Sequence, residues 1–199
     1  MGNRRLGARR LNSLMGTLAE DNRNSAGAGI KDAIVSSTVH RQGNKVTTSI
    51  SIDLGTSKAS IKHANDDGDV IGVDGGGAAY ITKLTPAING YITYAEMVCL
   101  EVPTADSNAC THIDLHFETG GAGEYNTDGS GYTVLITADD AWALGESDHY
   151  AVTHGTDLDI GADDGFVYLI SGHAPGGADI FTGGKFVITF EGYLVPESI

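Results

Sequence analysis

The stretch YITYAEMVCLEVPTADSNACTHIDLHF, residues 91–117, decides how the chain is read. Ile92, Tyr94, Val98, Leu100 and Val102 share one parity, and Ile113, Leu115 and Phe117 share one parity after a break. In an extended strand every second side chain points to the same face, so alternation of this kind predicts strands. Between the two runs lie Pro103, Thr104, Ala105, Asp106, Ser107 and Asn108, residue types that set up turns. The expectation is an antiparallel hairpin with one apolar face, in the middle of a larger sheet. Cys99 and Cys110 flank its turn. A tight hairpin on Pro103–Asp106 would set them across from each other for a disulfide. The chain opens without an apolar signal segment, however, so synthesis in a reducing cytosol is expected and free thiols are the reading taken.

Working outward, similar short runs recur. Ala33–Val39, Lys45–Leu54 and Ala59–His63 read as strands, and in the second Val46, Thr48, Ile50, Ile52 and Leu54 share a face. Val70–Val73, Ala79–Leu84, Tyr132–Thr137, Tyr150–Thr153, Phe166–Ile170 and Lys185–Val195 follow, separated by Gly, Asn and Asp clusters. Thr137 and Asp140 resemble a capping box, which predicts one helical turn over Ala141–Leu144 stopped by Gly145. Residues 120–129 form a long glycine-rich loop, and loops of that length inside a domain are usually functional or mobile. Ten or so short strands at even spacing predict an all-β protein: an antiparallel, jelly-roll-like β-sandwich over residues 32–199.

Charge divides the chain. It carries net −14 overall, yet up to Lys45 the bases Arg4, Arg5, Arg9, Arg10, Arg23, Lys31, Arg41 and Lys45 outnumber Glu20, Asp21 and Asp32. From Ala64 onward the bases are Lys83 and Lys185. Residues 1–31 therefore read as a basic arm and linker on an acidic body. In the arm, Leu11, Leu14, Met15 and Leu18 follow i, i+3, i+4, i+7, a helical stripe. Such a segment either docks on a partner or stays an unstructured tail, because an isolated helix this short is marginal in water. The reading taken is ordering on a partner subunit, with Arg4, Arg5, Leu6, Arg9, Arg10, Leu11, Leu14 and Leu18 as the contact residues. Residues 22–29 read as linker. The acidic body repels nucleic acid, and no apolar run is long enough to span a membrane as a helix.

Several groups have the residue types of chemistry without its spacing. Cys110, His112, Asp114 and His116 alternate along one strand, but Cys110 and His116 would stand about 20 Å apart, too far for one metal. They read as a polar outer face. Asp157, Asp159, Asp163 and Asp164 do not match an EF-hand register, and read as a solvated loop. Ser147, Asp148, His149 and His154 lack a nucleophile elbow. Gly75, Gly76 and Gly77 lack a following helix, so no phosphate loop is supported. Residues 176–184, GGADIFTGG, resemble one calcium-binding nonapeptide of secreted RTX proteins, but one copy cannot make that site, and a glycine-rich hairpin turn is expected. No enzyme, cofactor or metal site is predicted.

The opening MGNRRLGARRLNSLMGTL (1–18) resembles the basic-leucine starts of structural proteins of marine tailed bacteriophages. The stretch TGGKFVITFEGYLVP (182–196) is similar to the closing strand of β-rich virion proteins from the same sources. The resemblance implies a capsid decoration (cement) protein, located in the virion after assembly in the host cytoplasm. Its partners would be the major capsid protein or other virion subunits, and it would be a homo-oligomer with a trimer favoured. A rival reading is a carbohydrate- or receptor-binding jelly roll stacking ligands on Tyr125, Tyr132, Trp142 and Tyr150. A second is a metal-dependent hydrolase using His112, Asp114 and His116.

Overall fold

A computed structural model describes residues 26–30, 36–55, 60–107, 110–138, 140–151, 165–174 and 176–194. Eleven strands fill these segments: β1 Ser36–Gln42, β2 Lys45–Asp53, β3 Ile61–His63, β4 Gly72–Val73, β5 Thr82–Leu84, β6 Tyr91–Ala105, β7 Ile113–Glu118, β8 Thr133–Ile136, β9 Ser147–Ala151, β10 Gly165–Ser171 and β11 Asp179–Tyr193. One helical turn, α1 (Pro86–Asn89), precedes β6.

All strand pairing is antiparallel, in two sheets. The larger runs β1-β2-β11-β6-β9, with β3 and β4 joined to the first residues of β11. The smaller runs β5-β10-β7-β8. Taking β2 and β5 to β11 as eight successive strands, numbers one, eight, three and six make one sheet and two, seven, four and five the other. This is the two-Greek-key winding of a jelly roll, and the expected sandwich is present.

The central hairpin is not. β6 pairs with β11 and β9, while β7 pairs with β10 and β8, so the two strands belong to different sheets. Both strands exist where alternation placed them, but each buries its apolar face against the opposite sheet rather than beside its neighbour. The inward face of β6 also differs from the expected one. Ala95, Met97 and Cys99 point into the core, and Leu100 is half exposed. The cause is a bulge: Glu191 pairs with Tyr94 and Gly192 with Ile92, which leaves Thr93 as an extra residue. An extra residue reverses the parity that follows it, so Ile92 is buried along with residues of the opposite parity.

On β2 and β11 the alternation holds. Val46, Thr48, Ile50 and Ile52 face inward, as do Phe186, Ile188 and Phe190. They meet Val167, Leu169, Ile113, Leu115 and Phe117 of the smaller sheet. Full burial of each such side chain contributes roughly 1.5–3 kcal/mol. Residues 179–184, expected to be a turn, open β11 instead, with register shifts around Gly183 and φ 130° at Gly184.

Helix placement also differs. Thr85 caps α1 by accepting from the Ile88 amide (3.3 Å), Pro86 starts it, and Gly90 ends it at φ 72°. The cap–proline–glycine order is a start-and-stop signal that strand alternation obscured. No helix forms over the described part of 137–145, because its amides bond elsewhere. The Ala138 amide donates to Asp114 Oδ1 (2.8 Å), that of Trp142 to Thr111 O (3.1 Å), and that of Gly145 to Cys99 O (2.8 Å).

The glycine-rich loop forms a third layer over the smaller sheet. Its main chain bonds to residues 68–79: Ala79 N to Gly123 O at 2.7 Å, Asn126 N to Val70 O at 3.0 Å, and Gly129 N to Gly68 O at 2.8 Å. Glycine at 123 has a steric reason, since a Cβ there would lie 2.6 Å from Tyr132 Oη and 2.9 Å from Tyr168 Cε1. Beneath this cover lie Asp114 and His116, both buried. They do not form a solvated outer face.

Candidate functional site

The predicted contact residues Arg4, Arg5, Leu6, Arg9, Arg10, Leu11, Leu14 and Leu18 lie outside the described residues. The point where their segment meets the body is described. Gly27 N donates to Tyr80 O and Gly29 N to Ala78 O, both at 2.8 Å, and Val73 N donates to Gly29 O at 2.8 Å. Ile30 is fully buried in the core. Residues 26–29, whose composition reads as linker, are thus stitched to the edge of residues 73–80. A Cβ at Gly27 would collide with the Ala78 carbonyl, so only glycine permits this approach.

The body's described cations are all engaged. Lys45 pairs with Glu191 (2.7 Å), Lys62 with Asp74 (3.3 Å), and Lys185 with both Glu101 (2.7 Å) and Asp53 (3.4 Å). Lys83 lies over the Phe166 ring, and Arg41 Nε donates to Gly43 O. The hydrogen bond from Lys185 holds the Glu101 carboxyl below its ordinary pKa. Carboxylates such as Asp66, Asp67, Glu96, Asp106 and Asp148 remain on the surface, and the potential around the body is negative.

The aromatic platform does not assemble. Trp142 is 3% exposed, donates from Nε1 to Ile113 O (2.9 Å), and sets its ring edge against Phe186 at 5.6 Å. Tyr132 tilts against the buried Tyr168, and Tyr150 packs on the core. A shallow cleft of about 250 Å³ opens beside Trp142, lined by Thr137, Ala138, Asp140, Glu146, Ser147 and Asp148. It is below the roughly 300–1,000 Å³ of small-molecule sites. Of the triad-like group, Ser147, Asp148 and His149 lie along β9, and His154 is outside the described residues, as are Asp157, Asp159, Asp163 and Asp164.

The row Cys110, His112, Asp114 and His116 splits into two environments. His116 Nδ1 lies 3.3 Å from Gly129 O, its Nε2 lies 3.9 Å from Asp114 Oδ2, and that nitrogen has no hydrogen-bond partner. Cys110 and His112 precede β7 and meet His173, from the β10–β11 connection. Cys110 Sγ donates to His112 O (3.0 Å) and stands 3.7 Å from His173 Nδ1, and the rings of His112 and His173 lie 4.5 Å apart. Burial pushes the Cys110 thiol pKa up. Burial, then the nearby imidazoles of His112 and His63, push that of His173 down. His63 is wholly buried with Nε2 unpartnered. Its neighbour Ala64 donates to Ser171 Oγ at 3.2 Å, beside Cys110. Sequence reading missed His63 and His173, which lie too far along the chain for any local spacing to join them to Cys110. Among the described residues, no group of three His, Cys, Asp or Glu side chains is placed to hold a metal ion. Cys99 and Cys110 are both free and buried.

No protein family matches the chain, and no curated protein matches it. Among solved structures it is similar to a chain of an Israeli acute paralysis virus particle ("heated to 63 degree - full particle"). Identity is 14%, TM-score 0.31, and the match covers 76% of this chain and 73% of that one.

Proposed function

We propose that this chain is a virion structural protein of the capsid-decoration type, held on shell subunits by its basic N-terminal arm. The observation that carries the reading is the division of charge between arm and body. A jelly roll whose described cations are all engaged presents a negative surface, while four arginines and a leucine stripe sit together in residues 1–18. An amphipathic basic segment gains affinity by burying its apolar stripe, at about 25 cal/mol per Å² before the cost of ordering is subtracted. Jelly rolls serve as capsid domains and also as lectins. Burial of Trp142 removes the centre of the stacking surface a lectin reading requires.

On this reading the body covers, the arm grips, and the protein assembles as a trimer on the shell. The test is particle composition. Particles purified from the source of the sequence carry the chain at a fixed ratio to the shell protein, and the isolated protein sediments as a trimer. Absence of the chain from purified particles would overturn the assignment.

A further inference from the structure

The larger sheet carries an exposed apolar face beside an acidic cleft. Val98 pairs with Val187 on the outward side of the sheet, both partly exposed. Leu100 follows, 52% exposed. A second bulge turns it out: Cys99 pairs with Phe186 and Glu101 with Lys185, which leaves Leu100 as the extra residue. Hydrogen bonds from Gly145 N to Cys99 O (2.8 Å) and from Cys99 N to Glu146 O (2.9 Å) set the turn 143–146 against the same point of β6. They place Leu144, 73% exposed, next to Leu100. We propose that this face receives residues 1–18 of a second copy of the chain, so that in the free protein each arm lies on a neighbouring body.

Turn chemistry does not account for Leu144. Glu146 N donates to Ala143 O (3.0 Å) to close the turn, Gly145 supplies φ 81°, and the position before that glycine makes no demand for a large apolar side chain. Single exposed apolar residues need no explanation, but adjoining ones mark contact surfaces. Beside the turn opens the cleft of about 250 Å³, lined in part by Asp140, Glu146 and Asp148. No described cation pairs with these three carboxylates. The cleft is small for a ligand but suits the head of one long cationic side chain, and a guanidinium forks onto carboxylates better than an ammonium does.

Residues 1–18 supply the complement. They carry Arg4, Arg5, Arg9 and Arg10 beside the leucine stripe, and no Asp or Glu. Leucines laid on Leu100 and Leu144, with an arginine in the cleft, answer both halves of the face at once. A second copy fits better than the chain's own arm. Gly27 and Gly29 tie the end of the arm's linker to Tyr80 and Ala78, where Tyr80 packs on Phe166 of the smaller sheet at 4.9 Å. The apolar face lies on the outer side of the larger sheet, the opposite layer. The proposal rests on residues 1–18 being a docking arm, and adds where that arm lies before a shell surface replaces the neighbouring body.

The test is photo-cross-linking of tag-free, full-length protein without particles, with Leu144 replaced by p-benzoylphenylalanine. On a denaturing gel the product should run at twice the mass of the chain, and peptide mass spectrometry should join position 144 to residues 1–18. Arg9→Glu with Arg10→Glu, and separately Asp140→Lys with Asp148→Lys, should each cut the yield at least fivefold. Far-ultraviolet circular dichroism checks that each protein is folded. Should the cleft variant fail to fold, NaCl at about 0.5 M, which shortens the reach of exposed charges to a few ångström, should lower the yield of the parent protein at least twofold. No cross-link, a product at the mass of one chain, or a product joining position 144 to the body of either copy would overturn the proposal. A yield indifferent to charge reversal and to salt would overturn it equally. Because no particle is present, any of these failures leaves shell attachment to be decided separately by rebinding.

Discussion

Trp142 Nε1 donates to the main-chain oxygen of Ile113 at 2.9 Å, joining the β8–β9 connection to the first residue of β7. Its ring meanwhile packs edge-on against Phe186 of the larger sheet. One side chain thus ties both layers of the sandwich together. Trp142→Phe should cost about 1–3 kcal/mol, because it leaves a buried carbonyl without its donor. Trp142→Ala should cost about 3–5 kcal/mol, since a cavity is added. Urea unfolding followed by circular dichroism measures both. As the only tryptophan, it should emit at short wavelength in the wild type and shift to the red on unfolding.

Asn89 closes α1 against the larger sheet. Its Oδ1 accepts from Thr85 N and its Nδ2 donates to Thr48 Oγ1, both at 2.8 Å, with the residue 1% exposed. Asn89→Ala leaves the buried Thr48 hydroxyl and the half-buried Thr85 amide without this partner, and should destabilise by about 1–3 kcal/mol for each group that water cannot reach. Asn89→Asp restores the acceptor but loses the donor to Thr48, and should fall between alanine and wild type. Thermal melts order the three proteins. Equal melting of Asn89→Ala and wild type would remove Asn89 from the account of the fold.

Asp69 carries a pH signature. Burial, then repulsion from Asp66 and Asp128, raises its carboxyl pKa. A carboxyl whose folded pKa lies above its unfolded value costs stability wherever it is ionised, and that cost disappears once pH falls below the unfolded value. Asp69→Asn should therefore melt higher than wild type at pH 7. The gap should shrink as pH falls through the folded pKa and close below about 3.9. A gap that is constant with pH would show that the effect is not electrostatic.

Much of this architecture could be read from residue order, for reasons that particular residues make plain. Val46 to Ile52 and Phe186 to Phe190 alternate without a bulge, so their parity names their buried face directly. β6 could not be read that way, because the extra Thr93 reverses the face near the start of the strand and leaves no mark in composition. Nor could the break after Ala105 reveal whether β7 returns beside β6 or crosses to the other sheet. Both routes demand turn residues and an apolar face. His116 looked solvated for the same reason: nothing nearby in sequence announces that residues 120–129 fold over it. The Cys110–His173 contact spans 63 positions, and only the winding of the sandwich brings the two together.

The central claim is that the leading segment grips and the body covers. The most direct measurement is rebinding to particles stripped of the protein, comparing full-length chain with a version lacking residues 1–21. Residues 26–30 are left intact, so that Ile30 still fills the core. Co-sedimentation reads attachment, and the tryptophan emission of unbound protein reports that the body is folded. Full-length protein should pellet with the particles, while the shortened, folded body should stay in the supernatant with at least a tenfold loss of binding. Equal pelleting of the two proteins would contradict the claim.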